Sequence, residues 1–551
     1  MSMQPEILTP LATETIAEIE ARYPPRALPE GACVTRFGPS PTGSLHIGGL
    51  YTSMISRQLA HQSGGLFMLR IEDTDKKREV EGAIDLIVDS LRHFGLSPDE
   101  GELTVGHEVG SYGPYRQSAR TPIYQAFVRN LLERGLAYPC FASPEELAAV
   151  RDQQQAAKIP PGYYGKWALW RDRPEAEVEQ AMAEGRPFAI RLKAPADRPA
   201  QVTLPDVIRG DLNFPSNEQD VVLLKADGTP TYHLAHVVDD RLMGTTHVIR
   251  GHEWLSSYPL HAQLFGLFGW EPPLFAHISP IEKMEGSSRR KLSKRKDPEA
   301  SVSFYVEQGY PQEAVLEYLL TLADGRFEDW RAEHPEGREG FAIDLARMSR
   351  SGALFDSVKL DSISRERIAA MTAAEVYAAI LAWAEIHAPD FCARIAADPA
   401  YATAIFNIER GNERARKDLA HWSTVPGDVS FFFDDLYAAD EANVREALAA
   451  VTPAPSAELL RAIADEVDPN VERDTWLEAL RAIGGRFGYA PSMKVFKQDP
   501  QAYIGHFGNL TEAVRVVLTG RRQSPDLHEI MQVMGRNRVK ARLDAAAGWI
   551  A

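Results

Sequence analysis

Between Ala32 and Ile71 the pattern of apolar and polar positions changes character three times. Ala32 to Phe37 is a short strand-like run. Gly38-Pro39-Ser40-Pro41-Thr42-Gly43 cannot continue it, because prolines and glycines break regular structure. From Leu50 to His61 the spacing becomes helical, and Gly64-Gly65 closes that helix. Leu66 to Ile71 is then a continuous apolar run interrupted only by Arg70, the pattern of a parallel strand buried on both faces. Strand, tight loop, helix and strand make a βαβ unit.

Residues 106–215 read as an insertion of mixed α and β character, with helical stretches near 118–135 and 144–157. A Pro/Gly/Tyr loop interrupts it at Pro160-Pro161-Gly162-Tyr163-Tyr164-Gly165. Buried-strand character returns at Val221 to Leu224, followed by a helix-like Tyr232 to Asp239 and a strand-like Thr246 to Arg250. The pattern is that of a parallel sheet split by an inserted domain. Beyond about 345, Ala, Leu, Glu and Arg favour helix to the end, and no fixed-period repeat is evident.

Composition narrows the picture. A chain of 551 residues is too long for one core, so three or four domains are expected. No run of roughly eighteen uncharged apolar residues suggests a membrane span. The first residues, with Glu6, Glu14, Glu18 and Glu20, lack a signal pattern, and Cys33, Cys140 and Cys392 lie far apart. A cytoplasmic protein without a disulfide framework or a zinc site is expected. The net charge of −17 argues against a polyanionic partner, but phosphate binding depends on local patches rather than on the sum.

Candidate chemistry clusters where a parallel sheet places its ligands, beyond the carboxyl ends of the strands. The Gly38–Gly49 loop leaves the first strand there, and the following helix N-terminus offers N–H groups and a positive dipole to phosphate. His46 precedes that helix and can donate to a phosphoryl oxygen. Glu72-Asp73 end the second strand and suit an ammonium group. Arg36 ends the first and suits a carboxylate. An amino acid beside a nucleotide needs all three. A second cluster, Arg289-Arg290-Lys291-Leu292-Ser293-Lys294-Arg295-Lys296, has six cations in eight residues and follows Gly286-Ser287-Ser288. It reads as a mobile loop able to close over a triphosphate. Each feature alone has an ordinary structural explanation as a turn, a cap or a solvated surface. Their joint occurrence, in order, inside a split sheet points to function.

Arg36 through Gly49, with the core Leu45-His46-Ile47-Gly48-Gly49, resembles the HIGH signature of class I aminoacyl-tRNA synthetases in its glutamyl/glutaminyl form. Lys291-Leu292-Ser293-Lys294-Arg295 resembles the KMSKS loop in the KLSKR form of bacterial glutamyl enzymes. Arg70-Ile71-Glu72-Asp73-Thr74-Asp75, Pro230-Thr231-Tyr232-His233-Leu234-Ala235 and Val248-Ile249-Arg250-Gly251-His252-Glu253-Trp254 match the same family between them.

The resemblance implies an α/β fold with a Rossmann-like parallel-sheet catalytic domain, an inserted α/β domain and an all-α anticodon-binding region. The expected bounds are an N-terminal extension 1–30, catalytic halves 31–105 and 216–280, an acceptor-binding insertion 106–215, a KLSKR and stem-contact region 281–365, and a helical region 366–551. It implies activation of L-glutamate by ATP with Mg²⁺, then transfer to the 3′-terminal adenosine of tRNA(Glu). Arg36 and Tyr232 would read the side-chain carboxylate, with Gly38 and His236 beside it. Glu72 with Ser40 would hold the α-amino group, and Arg250 the α-carboxylate. Thr42, His46, Gly48, Glu253, Lys291, Ser293, Lys294 and Arg295 would serve ATP, with His46 and Lys294 catalytic. No resident metal is implied.

His236 departs from the family's usual Asn, and Gly38 from its usual Ala, a change expected to be harmless at a backbone contact. Residues 511–551 carry seven Arg/Lys against four Asp/Glu, an excess suited to tRNA. A monomer is expected. The alternatives are a catalytically silent tRNA-binding paralogue and glutamyl transfer to another tRNA species.

Overall fold

The computed structural model describes residues 11–411 and 415–550; the first ten residues of the expected N-terminal extension lie outside them. The chain divides into two compact units, one running to Phe304 with Leu316–Asp356, the other comprising Tyr305–Val315 and the residues from Ser357 on.

The first unit is built on an eight-stranded sheet. Strand β1 (Val34–Phe37) is buried throughout, as a strand covered on both faces must be. The helix Ile47–Gln62 follows, and β2 (Leu66–Leu69) pairs with β1 in parallel, Val34 opposite Leu66. Next come β3 (Glu100–Thr104) and β4 (His107–Val109), then β5 (Ala137–Cys140), β6 (Ala189–Leu192), the hairpin β7 (Gln201–Asp206) and β8 (Gly210–Pro215), and β9 (Val222–Leu224). After the helix Tyr232–Leu242 come β10 (His247–Gly251) and, beyond the helix Tyr258–Leu267, β11 (Leu274–Ile278). The sheet order is β4-β3-β2-β1-β10-β11-β7-β8, parallel except for its two edge strands. The chain leaves β1 toward β2 on one side and reaches β10 on the other, so the β1/β10 boundary is the switch point where a ligand crevice opens.

Two sequence expectations are corrected. Val222–Leu224 does not rejoin the main sheet; it pairs antiparallel with β6 in the separate sheet β5-β6-β9. Conversely the 201–215 hairpin, expected inside the insertion, lies in the main sheet, where Asp206 of β7 pairs with Phe275 of β11. A short apolar run fits a strand in either sheet, and only long-range pairing decides.

Past β11, β12 (Ile281–Glu285) and β13 (Ser288–Lys291) form a hairpin, and β12 also pairs with β14 (Ala353–Leu354). In the second unit the regular elements from 357 on are helices and two two-residue strands, around a core that includes Val376, Ile380, Trp476, Leu480 and Val514. The seven cations of 511–551 all engage acceptors within this unit. Arg515 donates to the Pro525 carbonyl (2.7 Å), Arg521 to Gly427 (2.6 Å), Arg522 to Ala450 (2.5 Å) and Arg536 to Asp465 (3.2 Å). Arg538 and Arg542 meet Asp434, and Lys540 meets Asp465. Of these, Arg542 is buried, Arg522 and Arg536 are exposed, and Arg521 and Lys540 are half-buried at the surface. Among the described residues no helix is long and apolar enough to cross a membrane.

Candidate active site

A cavity of about 600 Å³ opens at the carboxyl ends of β1, β10 and β11. Seven of the expected residues form its floor and one wall: Arg36, Gly38, Ser40, Glu72, Tyr232, Arg250 and Gly48. His46, Glu253 and Lys291 also line it. The volume is in the range of small-ligand and cofactor sites. Thr42, His236, Ser293, Lys294 and Arg295 are not part of the lining.

The floor is ionic and dry. Arg36, on β1, pairs through Nε with Asp240 Oδ1 at 3.1 Å. Arg70 follows β2 and is fully buried; Nη1 donates to the same Asp240 oxygen at 2.7 Å and Nη2 to Glu72 Oε1 at 3.0 Å. Burial would raise the Asp240 carboxyl, but Arg36 and Arg70 outweigh it and hold the group well below the usual carboxylate range. Glu72 goes the other way: burial dominates, and its carboxyl is raised despite Arg70 and Arg36. It is thus a carboxylate short of compensation, facing a cavity, where an added cation is welcome. Asp73, expected beside it, turns away to accept from the Ser118 amide (2.7 Å) and hydroxyl (2.6 Å).

Tyr232 starts the helix Tyr232–Leu242, and His236 sits one turn later on the same face. The rings stack, 5.5 Å apart and 8° from parallel, with His236 fully buried behind. Its Nδ1 lies 2.7 Å from Asp240 Oδ2. Burial drives the imidazole down to about 3, so it is neutral. His236, expected beside the side-chain carboxylate, is not part of the cavity lining; it lies behind Tyr232 and against Asp240. Burial also pushes the Tyr232 phenol up to about 12, so it stays a neutral hydrogen-bonding group.

His46 is the N-cap of the helix Ile47–Gln62. Its Nδ1 accepts from the Gly48 amide at 2.9 Å, which leaves the proton on Nε2, 3.3 Å from the Leu292 carbonyl. The basic run, expected as one mobile loop, is only partly loop, since Arg289, Arg290 and Lys291 belong to β13. Arg290 clamps Asp297 through both Nη atoms (2.5 and 2.8 Å), and Asp297 accepts from the Ser293 amide at 3.0 Å. Lys291 meets Glu253 at 2.8 Å, and Lys294 rests on the Ser44 carbonyl. Two loops more than 240 residues apart in sequence therefore touch at the mouth of one cavity.

A Cβ at Gly38 would lie 2.3 Å from Glu72 Oε1, at the end of a side chain that can shift. Sequence reasoning missed Arg70 and Asp240 as parts of the floor. Their signal was present: an arginine inside an apolar strand and an acid pair, Asp239-Asp240, in an apolar helix both demand buried partners.

Comparison with known proteins places the chain in a family. Residues 32–360 match the family model for the catalytic domain of class I tRNA synthetases (E and Q), and 504–547 match an anticodon binding domain. The chain belongs to the class I tRNA synthetases of the E and Q type. A glutamate–tRNA ligase of Clostridium perfringens (strain 13 / Type A) is 46% identical over 95% of this chain and 96% of its own. One from Sorangium cellulosum is 44% identical over 96% of each. The crystal structure of a glutamate tRNA ligase from Elizabethkingia meningosepticum, in complex with its amino acid, superposes with a TM-score of 0.73 at 29% identity, covering 94% of this chain and 100% of that one.

Proposed function

We propose that the chain is a glutamate–tRNA ligase, which activates L-glutamate with ATP and esterifies it to the terminal adenosine of tRNA(Glu). The observation that carries the reading is one cavity lined by a buried carboxylate (Glu72) and two buried guanidiniums (Arg36, Arg250), with a helix N-terminus and lysines at its mouth. A zwitterion with a second carboxylate fits that charge pattern. Arg36 and Tyr232 take the side-chain carboxylate, Glu72 and Ser40 the ammonium, and Arg250 the α-carboxylate. Gly38 lies beside the Glu72 carboxylate, and His236 acts through Tyr232 and Asp240.

ATP lies along the His46–Gly48 helix start, with Thr42 on the approach and Glu253, Lys291, Ser293, Lys294 and Arg295 on the far side. Mg²⁺ enters as part of the ATP complex, held by phosphates and water. The α-carboxylate attacks the α-phosphorus in line, pyrophosphate leaves, and a terminal ribose hydroxyl then displaces AMP from the mixed anhydride. No side-chain nucleophile is needed; positioning and charge stabilisation carry the rate.

The test is charging of purified glutamate and glutamine tRNAs with labelled glutamate, beside ATP–pyrophosphate exchange with and without tRNA. Charging of glutamate tRNA is expected. Exchange-competent protein that charges neither tRNA, or protein that binds tRNA but shows neither reaction, would sink the reading.

Gly38→Ala, which installs the family's usual residue, is expected to keep glutamate KM within about threefold, because the atoms a Cβ would meet are the end of the Glu72 side chain, which can shift. A glutamate KM raised about tenfold or more, with ATP KM unchanged, would show that the Glu72 carboxylate has no room to move.

A further inference from the structure

Arg250 differs from the other buried arginines of the floor in its partners. Arg36 and Arg70 meet carboxylates, whereas Arg250 has no carboxylate partner among the described residues. Its Nε donates to His277 Nε2 at 2.9 Å, and its Nη1 lies 2.9 Å from His261 Nδ1. Nη2 is buried without a well-directed hydrogen bond, close to the Tyr232 phenol.

The proton positions of both imidazoles follow from their neighbours. Asp206 Oδ1 accepts from the amides of Ile208 (3.0 Å) and Arg209 (2.8 Å), and Oδ2 from the His277 amide (3.0 Å). The carboxyl is held low: burial opposes ionisation, but the His277 ring and the backbone amides outweigh it. A carboxylate only accepts, so His277 Nδ1, 2.6 Å away, carries the proton and Nε2 is a bare acceptor for Arg250. Arginine only donates, so His261 Nδ1 is bare. Its proton sits on Nε2 and points to His233 Nδ1 at 3.0 Å. The sheet supplies the alignment, since Arg250 of β10 and His277 of β11 are register partners and Asp206 ends the next strand. Burial drives both imidazoles down, which keeps them neutral.

We propose that His261 and His277 are positioning residues that hold Arg250 through neutral acceptors, fixing its orientation while leaving its charge uncompensated for the carboxylate of the ligand. A carboxylate partner would fix the guanidinium equally well but cancel the charge. A neutral acceptor fixes it and keeps the charge available. The inference rests on the proposed glutamate site.

The test exploits where each ring presents its acceptor. Asparagine Oδ1 matches the position of His Nδ1, and glutamine Oε1 that of His Nε2. At 261 the needed acceptor is Nδ1, so His261→Asn should keep the glutamate KM within about threefold, while His261→Gln raises it tenfold or more. At 277 the needed acceptor is Nε2, so the order reverses: His277→Gln is tolerated and His277→Asn is not. ATP KM, read in the same pyrophosphate exchange with tRNA present, stays within about twofold throughout. A crossed pattern cannot come from lost volume. Equal effects of Asn and Gln at both positions, or parallel movement of ATP KM, overturn the inference. Should a pair fail to fold, judged by its thermal midpoint, the pair at the other position decides by the same criterion. Arg250→Lys separates the levels: an unchanged glutamate KM there overturns the site assignment itself and the inference with it.

Discussion

Replacing Lys294 by alanine is expected to lower the rate of glutamate-dependent ATP–pyrophosphate exchange by about 10²- to 10³-fold, with glutamate KM within about threefold of the unmodified protein. Lys294 is not in the lining of the cavity proposed to hold the amino acid, and its ammonium lies against the Ser44 carbonyl just before the His46 helix. The loop that carries it is held at its base by the Arg290–Asp297 ion pair. In the proposed arrangement the departing pyrophosphate lies at that helix start, beside Lys294, and the amino acid lies deeper in the cavity. Arg36→Ala is the counterpart, raising glutamate KM far more than it lowers the rate at saturation. Exchange at the original rate in the Lys294 variant, or a glutamate KM that rises as steeply as the rate falls, would remove Lys294 from the leaving-group role.

The catalytic core was legible because its signals are local. Pro39, Pro41 and the glycines end β1 whatever surrounds them, and the continuous apolar run from Leu66 marks a strand buried on both faces. The strand ends bearing Arg36, Glu72 and Arg250 were visible for the same reason. What stayed hidden depended on distant partners. The β7–β8 hairpin alternates like any exposed hairpin, and only its pairing with β11 brings Asp206 under His277. Arg289–Lys291 read as loop because three consecutive cations lack alternation; Gly286, at φ +62°, was the signal for the hairpin turn. The helix face of His236 was legible, but not its depth. Its spacing of four from both Tyr232 and Asp240 puts all three on one helix face, where the short imidazole lies between the other two. A ligand-facing residue and a residue backing it share that face, and spacing alone does not separate them.

Asp240→Ala should cost about 3–5 kcal/mol of stability, because removing one member of a buried ion network strands the others. Asp240 is fully buried and its Oδ1 accepts from Arg70 at 2.7 Å and Arg36 at 3.1 Å, with His236 at Oδ2. Without it two guanidiniums share a dry site with Glu72 as the nearest remaining acid in the cavity wall. Asp239 cannot take over fully: it already accepts from Arg120 (2.7 Å), Gln117 (2.9 Å) and Tyr124 (2.8 Å). The pH dependence has a defined sign. The folded carboxyl is held below its ordinary value, so the stabilisation is fully present above about pH 4, the unfolded value, and is lost only as pH falls toward the lower folded one. The stability gap between the two proteins, read from denaturant midpoints, is therefore expected to stay flat from pH 8 to pH 5 and to close only in strong acid. Because Arg36 loses its anchor, glutamate KM rises in the same variant. A gap under about 1 kcal/mol, the value for an exposed pair, or one that closes near neutral pH, would mean that Asp240 is not the counter-charge on which the floor of the site is built.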